Sequence, residues 1–181
     1  MIFFANPKSE YIFLKKKIDT KIKRVLKSNS YILGKEVESF EKNFSKYLGV
    51  RFSIGVSNGT DAIILALQSI NIKKGDEIIT PSHTAFATIS AIVDVGAVPV
   101  FIDINENDFT IDTKQIEKKI TKKTKAIIAV HIYGNPANMP EIMRIKKKYK
   151  IVLIEDCAQA HGAKYNKTKV GNFGDIATFS F

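Results

Sequence analysis

The chain has a single cysteine, Cys157, in 181 residues, so no intrachain disulfide can form. No apolar run approaches the roughly 18 residues that a membrane span needs. The N-terminal stretch MIFFANPKSEYIF lacks the basic region and small-residue cleavage site of a secretory signal. These absences point to a cytoplasmic location with no membrane partner. There is no G-x-S-x-G elbow, Walker loop or G-x-G-x-x-G turn, so hydrolase, nucleotide triphosphatase and nicotinamide chemistry have no motif. The three histidines, His83, His131 and His161, lie far apart without metal-ligand spacing, and no metal site is expected. His131, in the segment HIYGN, reads as structural. Cys157 reads as a small packing residue.

What the chain has in excess is positive charge, +10 in net terms. That invites a nucleic-acid partner, but the placement of the lysines argues against one. Lys15–Lys17, Lys21 and Lys23 are interleaved with Leu14, Ile18, Ile22, Val25 and Leu26 at helical spacing. Lys146–Lys148 sit in another helical pattern, and Lys118, Lys119, Lys122 and Lys123 surround a helix end. These are solvated faces of amphipathic helices. No aromatic-basic ribonucleoprotein box, Cys/His finger or glycine-rich basic tail accompanies them. The length suits one domain or part of a larger one.

Strand-like and helix-like segments alternate, as in a wound α/β sheet. A basic first helix is followed by a second over Lys35–Leu48, striped by Val37, Phe40, Phe44 and Leu48 and stopped by Gly49. The pattern then predicts a strand over Arg51–Ser57, a helix over Thr60–Ile70, a strand over Glu77–Thr80 and a helix over Thr84–Val95. Val98–Ile102 is extended, and Asp112 caps a helix through Ile120. Lys125–Val130 is a strand, and Pro140 opens a helix ending near Tyr149. Ile151–Ile154 is a buried strand, Tyr165–Gly171 a short hairpin and Ile176–Phe181 a last strand. No repeat, low-complexity tract or linker marks a domain boundary.

Three stretches carry chemistry. In IVLIEDCAQAHGA, residues 151–163, an apolar strand delivers Glu155 and Asp156 to its carboxyl end, followed by Gln159 and His161. Ligands of open α/β sheets bind at the carboxyl ends of strands. A carboxylate there needs a partner, and a protonated ring nitrogen of a cofactor is one. Capping of the following loop is the structural alternative. In Ser57-Asn58-Gly59-Thr60, a glycine at a helix start permits close approach of a phosphate to free N–H groups; the alternative is a helix cap from Asn58 or Thr60. In Pro81–Phe86, an aromatic side chain follows a strand and could cover a flat ligand, or simply join the core.

In this order the segments YILGKEVESFEKNFSKYLGV, GVSNGTDAIILAL, GDEIITPSHTAFAT, GAVPVFIDI, HIYGNPANM, EDCAQAHGA and FGDIATFSF resemble the DegT/DnrJ/EryC1/StrS family of sugar aminotransferases. The resemblance runs from about Tyr31 to the last residue. It implies the large domain of a type I pyridoxal phosphate enzyme: a mostly parallel central sheet with flanking helices, incomplete here, and without the small C-terminal domain. It implies pyridoxal 5′-phosphate bound by Gly59, Thr60 and Ser180 at the phosphate, Asp156 at the pyridine nitrogen and Gln159 beside the ring oxygen. The family's stacking aromatic falls where this chain has Ala85, leaving Phe86, or His83, to cover the ring. His161 would lie near the cofactor and substrate. The Schiff-base lysine is expected beyond Phe181, so the 181 residues are expected to be inactive alone.

The implied substrates are a nucleotide-linked keto-sugar, with AQAHGA favouring amination at C3 over C4, and glutamate or glutamine as donor. The implied assembly is a homodimer. Within the same family, histidine in place of the lysine gives a sugar dehydratase. A truncated, non-catalytic binding remnant is the remaining alternative.

Overall fold

The computed structural model describes residues 6–181. Among them, two compact units are recognised. One contains the residues up to Tyr47 together with Arg51–Gly55; the other contains Leu48–Val50 and Val56–Phe181. No shift in composition marks the division.

The first unit holds α1 (Pro7–Ser28) and nearly all of α2 (Lys35–Leu48). Asn6 caps α1 by accepting the Ser9 N–H, and Pro7 occupies the first turn, where its missing donor costs nothing. Lys21 and Arg24 of α1 both pair with Glu36 of α2. The expected strand over Arg51–Ser57 does not form. Phe52 and Ile54 are 71% and 79% exposed, and no neighbouring strand pairs with them among the described residues. The segment's polar groups bond to Glu41 of α2 instead. Ser53 donates to its carbonyl and the Gly55 N–H to its carboxylate at 2.7 Å. Alternating apolar residues make a strand only when a ladder partner is present.

The second unit is a five-stranded parallel sheet in the order β2-β1-β3-β4-β7. Its strands are β1 (Glu77–Pro81), β2 (Val98–Ile102), β3 (Thr124–Val130), β4 (Val152–Asp156) and β7 (Ile176–Thr178). A hairpin of β5 (Lys164–Tyr165) and β6 (Thr168–Lys169) precedes β7. The strands are nearly continuous apolar runs because both faces are covered. Side chains alternate between faces. Ile78, Ala126, Ile128 and Ile154 pack with Ile63 and Leu67 of α3 (Gly59–Ser69) and Ala91 and Ile92 of α4 (Phe86–Asp94). On the other face, Ile79, Ile127, Ala129 and Leu153 pack with Ile116 of α5 (Thr113–Lys119) and Ile142 and Ile145 of α6 (Met139–Tyr149).

The remaining expected elements are found with small shifts. The helix expected from Thr84 starts at Phe86, with Ala85 at its cap position. The last strand stops at Thr178 rather than Phe181, because its pairing with β4 ends where Thr178 meets Asp156. Among the described residues, no helix is long and apolar enough to cross a membrane.

Candidate active site

Strand parity determines what the two adjacent acids of β4 meet. Asp156 shares the face of Ile154, under α4; Glu155 shares the face of Leu153. Asp156 is 5% exposed. Its Oδ2 accepts the Thr88 hydroxyl of α4 at 2.9 Å, and its Oδ1 accepts the Ala158 N–H at 3.2 Å. The loop-capping alternative is therefore realised by one oxygen, while the other is turned to α4.

Glu155 is fully buried. Its oxygens accept the N–H groups of Gly171 at 2.8 Å, Phe173 at 2.8 Å and Gly174 at 2.7 Å. The fourth donor is His131 Nε2, at 3.1 Å. Because His131 Nδ1 accepts the Ala137 N–H at 3.1 Å, the ring proton resides on Nε2. Burial alone would raise the Glu155 carboxyl. The His131 bond and the Gly174 and Gly171 N–H groups outweigh it and hold the carboxyl below its ordinary value. Gly174 is required here: a Cβ would lie 2.7 Å from the Leu153 carbonyl oxygen.

His131, Glu155 and Cys157 bring one potential metal-ligand atom each within 4.8 Å. Their lone pairs are committed: both His131 nitrogens are bonded and Glu155 has four donors. Burial, then the neighbouring Glu155 and Asp156 charges, push the Cys157 thiol up, so it stays protonated. His131 and Glu155 form a closed hydrogen-bonding pair, with the protonated Cys157 thiol packed beside it.

At the same end of the sheet, α3 begins. Asn58 is its cap, with its Oδ1 accepting the Asp61 N–H at 2.9 Å. Ser57 and Asn58 hold the Asp61 side chain. The N–H groups of Gly59 and Thr60 have no acceptor among the described residues. Ser180 lies directly against Gly59: a Cβ there would sit 2.9 Å from Ser180 Cβ and 3.2 Å from its Oγ. Thus Gly59, Thr60 and Ser180 come together two residues past the Thr178–Asp156 register pair. This is a small cradle of helix N–H groups and a hydroxyl beside a buried carboxylate, suited to an anionic group attached to a cationic ring.

Gln159 is exposed, and its Oε1 accepts the Tyr133 N–H at 2.8 Å, which leaves its NH2 as a donor. Tyr133 adopts a left-handed conformation, φ 55°. Its hydroxyl bonds His83 Nε2 at 3.0 Å. His83 follows β1 and Tyr133 follows β3. These strands flank the point where the chain, having gone outward to β2, crosses back, and such switch points open the crevice. His161 packs its ring on Phe179 and Phe181, at 5.4 and 4.7 Å between centroids. The structure does not bring Phe86 to this group. It is 82% exposed and lies two positions before Thr88, about 200° around the helix. Sequence reasoning missed Thr88 and Tyr133. Thr84 and Thr88, one helical turn apart at a helix start after a strand, were the available signal for the first; a left-handed tyrosine has none.

A family model for the DegT/DnrJ/EryC1/StrS aminotransferases matches residues 13–181. The chain belongs to this family. It is 48% identical over its whole length to a dTDP-3-amino-3,6-dideoxy-α-D-galactopyranose transaminase of Aneurinibacillus thermoaerophilus, covering 50% of that protein. It is 45% identical over 93% of its length to a UDP-N-acetyl-3-dehydro-α-D-glucosamine 3-aminotransferase of Acidithiobacillus ferrooxidans, covering 46% of it. The structure superimposes on S. venezuelae DesV, solved in complex with a ketimine intermediate. The TM-score is 0.97 at 40% identity, over 99% of this chain and 48% of that one. The chain spans about half the length of the curated relatives it matches.

Proposed function

We propose that these residues are the N-terminal, cofactor-binding part of a pyridoxal-phosphate-dependent aminotransferase acting on a nucleotide-linked keto-sugar. The 3-keto sugar is favoured over the 4-keto, with glutamate or glutamine as donor, in a cytoplasmic homodimer. The observation that carries this reading is Asp156: a buried carboxylate at the carboxyl end of a central strand, in register with Thr178, two residues before the Ser180 that meets Gly59. The names of the two relatives, both transaminases of nucleotide-linked sugars, support the substrate class.

Bound pyridoxal phosphate supplies the electron sink for amino-group exchange. Asp156 keeps the pyridine nitrogen protonated, which sustains that sink. The Gly59 and Thr60 N–H groups and the Ser180 hydroxyl hold the phosphate, aided by the positive end of α3. The Gln159 NH2 donates to the ring oxygen. The ring's cover comes from His83, tethered by Tyr133, rather than from Phe86.

The test is an assay of the complete enzyme with nucleotide-linked 3-keto and 4-keto sugars and each amino donor, products weighed by mass spectrometry. An amino-sugar formed preferentially from the 3-keto substrate, and only with cofactor present, supports the proposal. A deoxygenated, nitrogen-free product would assign the dehydratase chemistry instead.

A further inference from the structure

Asp156 is held by a second hydroxyl behind the first. Thr84 Oγ1 lies 2.9 Å from Thr88 Oγ1, which lies 2.9 Å from Asp156 Oδ2. An ionised carboxylate only accepts, so the single Thr88 proton is committed to Asp156. The Thr84 hydroxyl must then donate to Thr88. A threonine inside a helix commonly spends its hydroxyl on the carbonyl one turn back; Thr88, fully buried, spends it across to the sheet. The two carboxylate oxygens are thereby pinned from two elements, α4 and the loop after β4. Oδ2 has two lone-pair directions, and Thr88 occupies one.

We propose that Thr88 is a positioning residue that fixes the Asp156 carboxylate so that the second lone pair of Oδ2 meets the cofactor's ring N–H, with Thr84 as its donor. This rests on the cofactor assignment above and extends it to a residue that touches neither cofactor nor substrate. A cationic ring pairs with the ionised carboxylate. The orientation is lost, and the fold kept, when the hydroxyl is exchanged for a methyl of similar volume.

The experiment measures equilibrium binding of two ligands to the protein: pyridoxamine 5′-phosphate, which needs no covalent attachment, and its 1-deaza analogue, in which carbon replaces the ring nitrogen. Thr88→Val weakens pyridoxamine phosphate about tenfold, the size expected for one hydrogen bond to a charged group. It leaves the deaza analogue within about twofold, and Thr88→Ser restores wild-type binding. Thr84→Val, at a half-buried position before the helix, gives the same selective loss at smaller size and does not depend on the stability of the helix variant. Equal losses for both ligands would make Thr88 a packing residue only, and no loss for either would remove it from the site; both overturn the proposal. Wild-type protein binding neither ligand would overturn the cofactor assignment itself, and this inference with it.

Discussion

Glu155 and Asp156 are neighbours in sequence, equally acidic and both buried, yet they stand in opposite situations. Glu155 accepts four hydrogen bonds, three of them from the Gly171–Gly174 loop, and has no capacity left. Asp156 accepts two and keeps an unused lone pair on the oxygen that faces α4. A saturated charge holds a fold together; an undersaturated one is available to a ligand. The one-residue step of a strand places the first on the α5–α6 face and the second on the α3–α4 face. Glu155 ties down the loop that leads into β7, and β7 leads on to Ser180. The closed side thus positions part of the open one.

The largest expected effect is on the closed side. Glu155→Ala strands three N–H groups and the His131 proton in the interior. Breaking a buried charged network of this kind costs about 3–5 kcal/mol, read by chemical denaturation; a loss below about 1 kcal/mol would reduce Glu155 to the standing of a surface charge. The pH dependence sharpens the point. The folded Glu155 carboxyl titrates below its ordinary value of 4.5. The unfolded chain therefore binds the proton first as pH falls. Stability from this group is complete above about pH 4.5 and is lost as pH drops through the folded value. Glu155→Gln should flatten that acid limb.

The next pair separates the sides sterically. Gly174→Ala drives a methyl against the Leu153 carbonyl at 2.7 Å, where backbone must move, and should cost roughly 1–3 kcal/mol in unfolding. Gly59→Ala meets the Ser180 side chain instead, its Cβ at 2.9 Å and its Oγ at 3.2 Å, and so displaces the hydroxyl of the cradle. Its main effect should fall on phosphate affinity, with a smaller change in stability. The reverse ranking would break the distinction between a closed and an open side.

The smallest effect belongs to a half-buried charge at the surface. Hydrogen bonds from Lys148, then Arg144, hold the Glu117 carboxyl down at about 2. The group is solvated, and such pairs contribute little and fade with salt. Glu117→Gln should shift the denaturation midpoint least of these variants, and not at all in high salt. A shift rivalling that of Glu155→Ala would show that hydrogen-bond number, not burial, sets the ranking.

Much of this architecture was legible in the sequence. Apolar runs bounded by Gly and Pro marked the buried strands, and Asn58 and Asp112 stood where caps form. The collinear motifs led to Gly59, Asp156, Gln159 and Ser180, which the fold gathers at one end of the sheet. What escaped depended on partners distant in sequence. Residues 51–57 have strand composition but no ladder to join among the described residues. Phe86 has the chemistry of a stacking ring and lies exposed, about 200° around the helix from Thr88. The Thr88 hydroxyl acquires its meaning only across 68 residues of chain. Glu155 resembled its neighbour until the glycine loop closed around it.

The central claim, that the two acids divide ligand binding from folding, is tested most directly by Asp156→Asn. Pyridoxamine 5′-phosphate affinity and unfolding free energy are measured on the same preparation. The account predicts affinity lower by roughly 10- to 100-fold, because an amide cannot hold the ring nitrogen protonated, with stability within about 1 kcal/mol of wild type. Unchanged affinity accompanied by a loss of several kcal/mol in stability would contradict it and place Asp156 beside Glu155 as a structural charge.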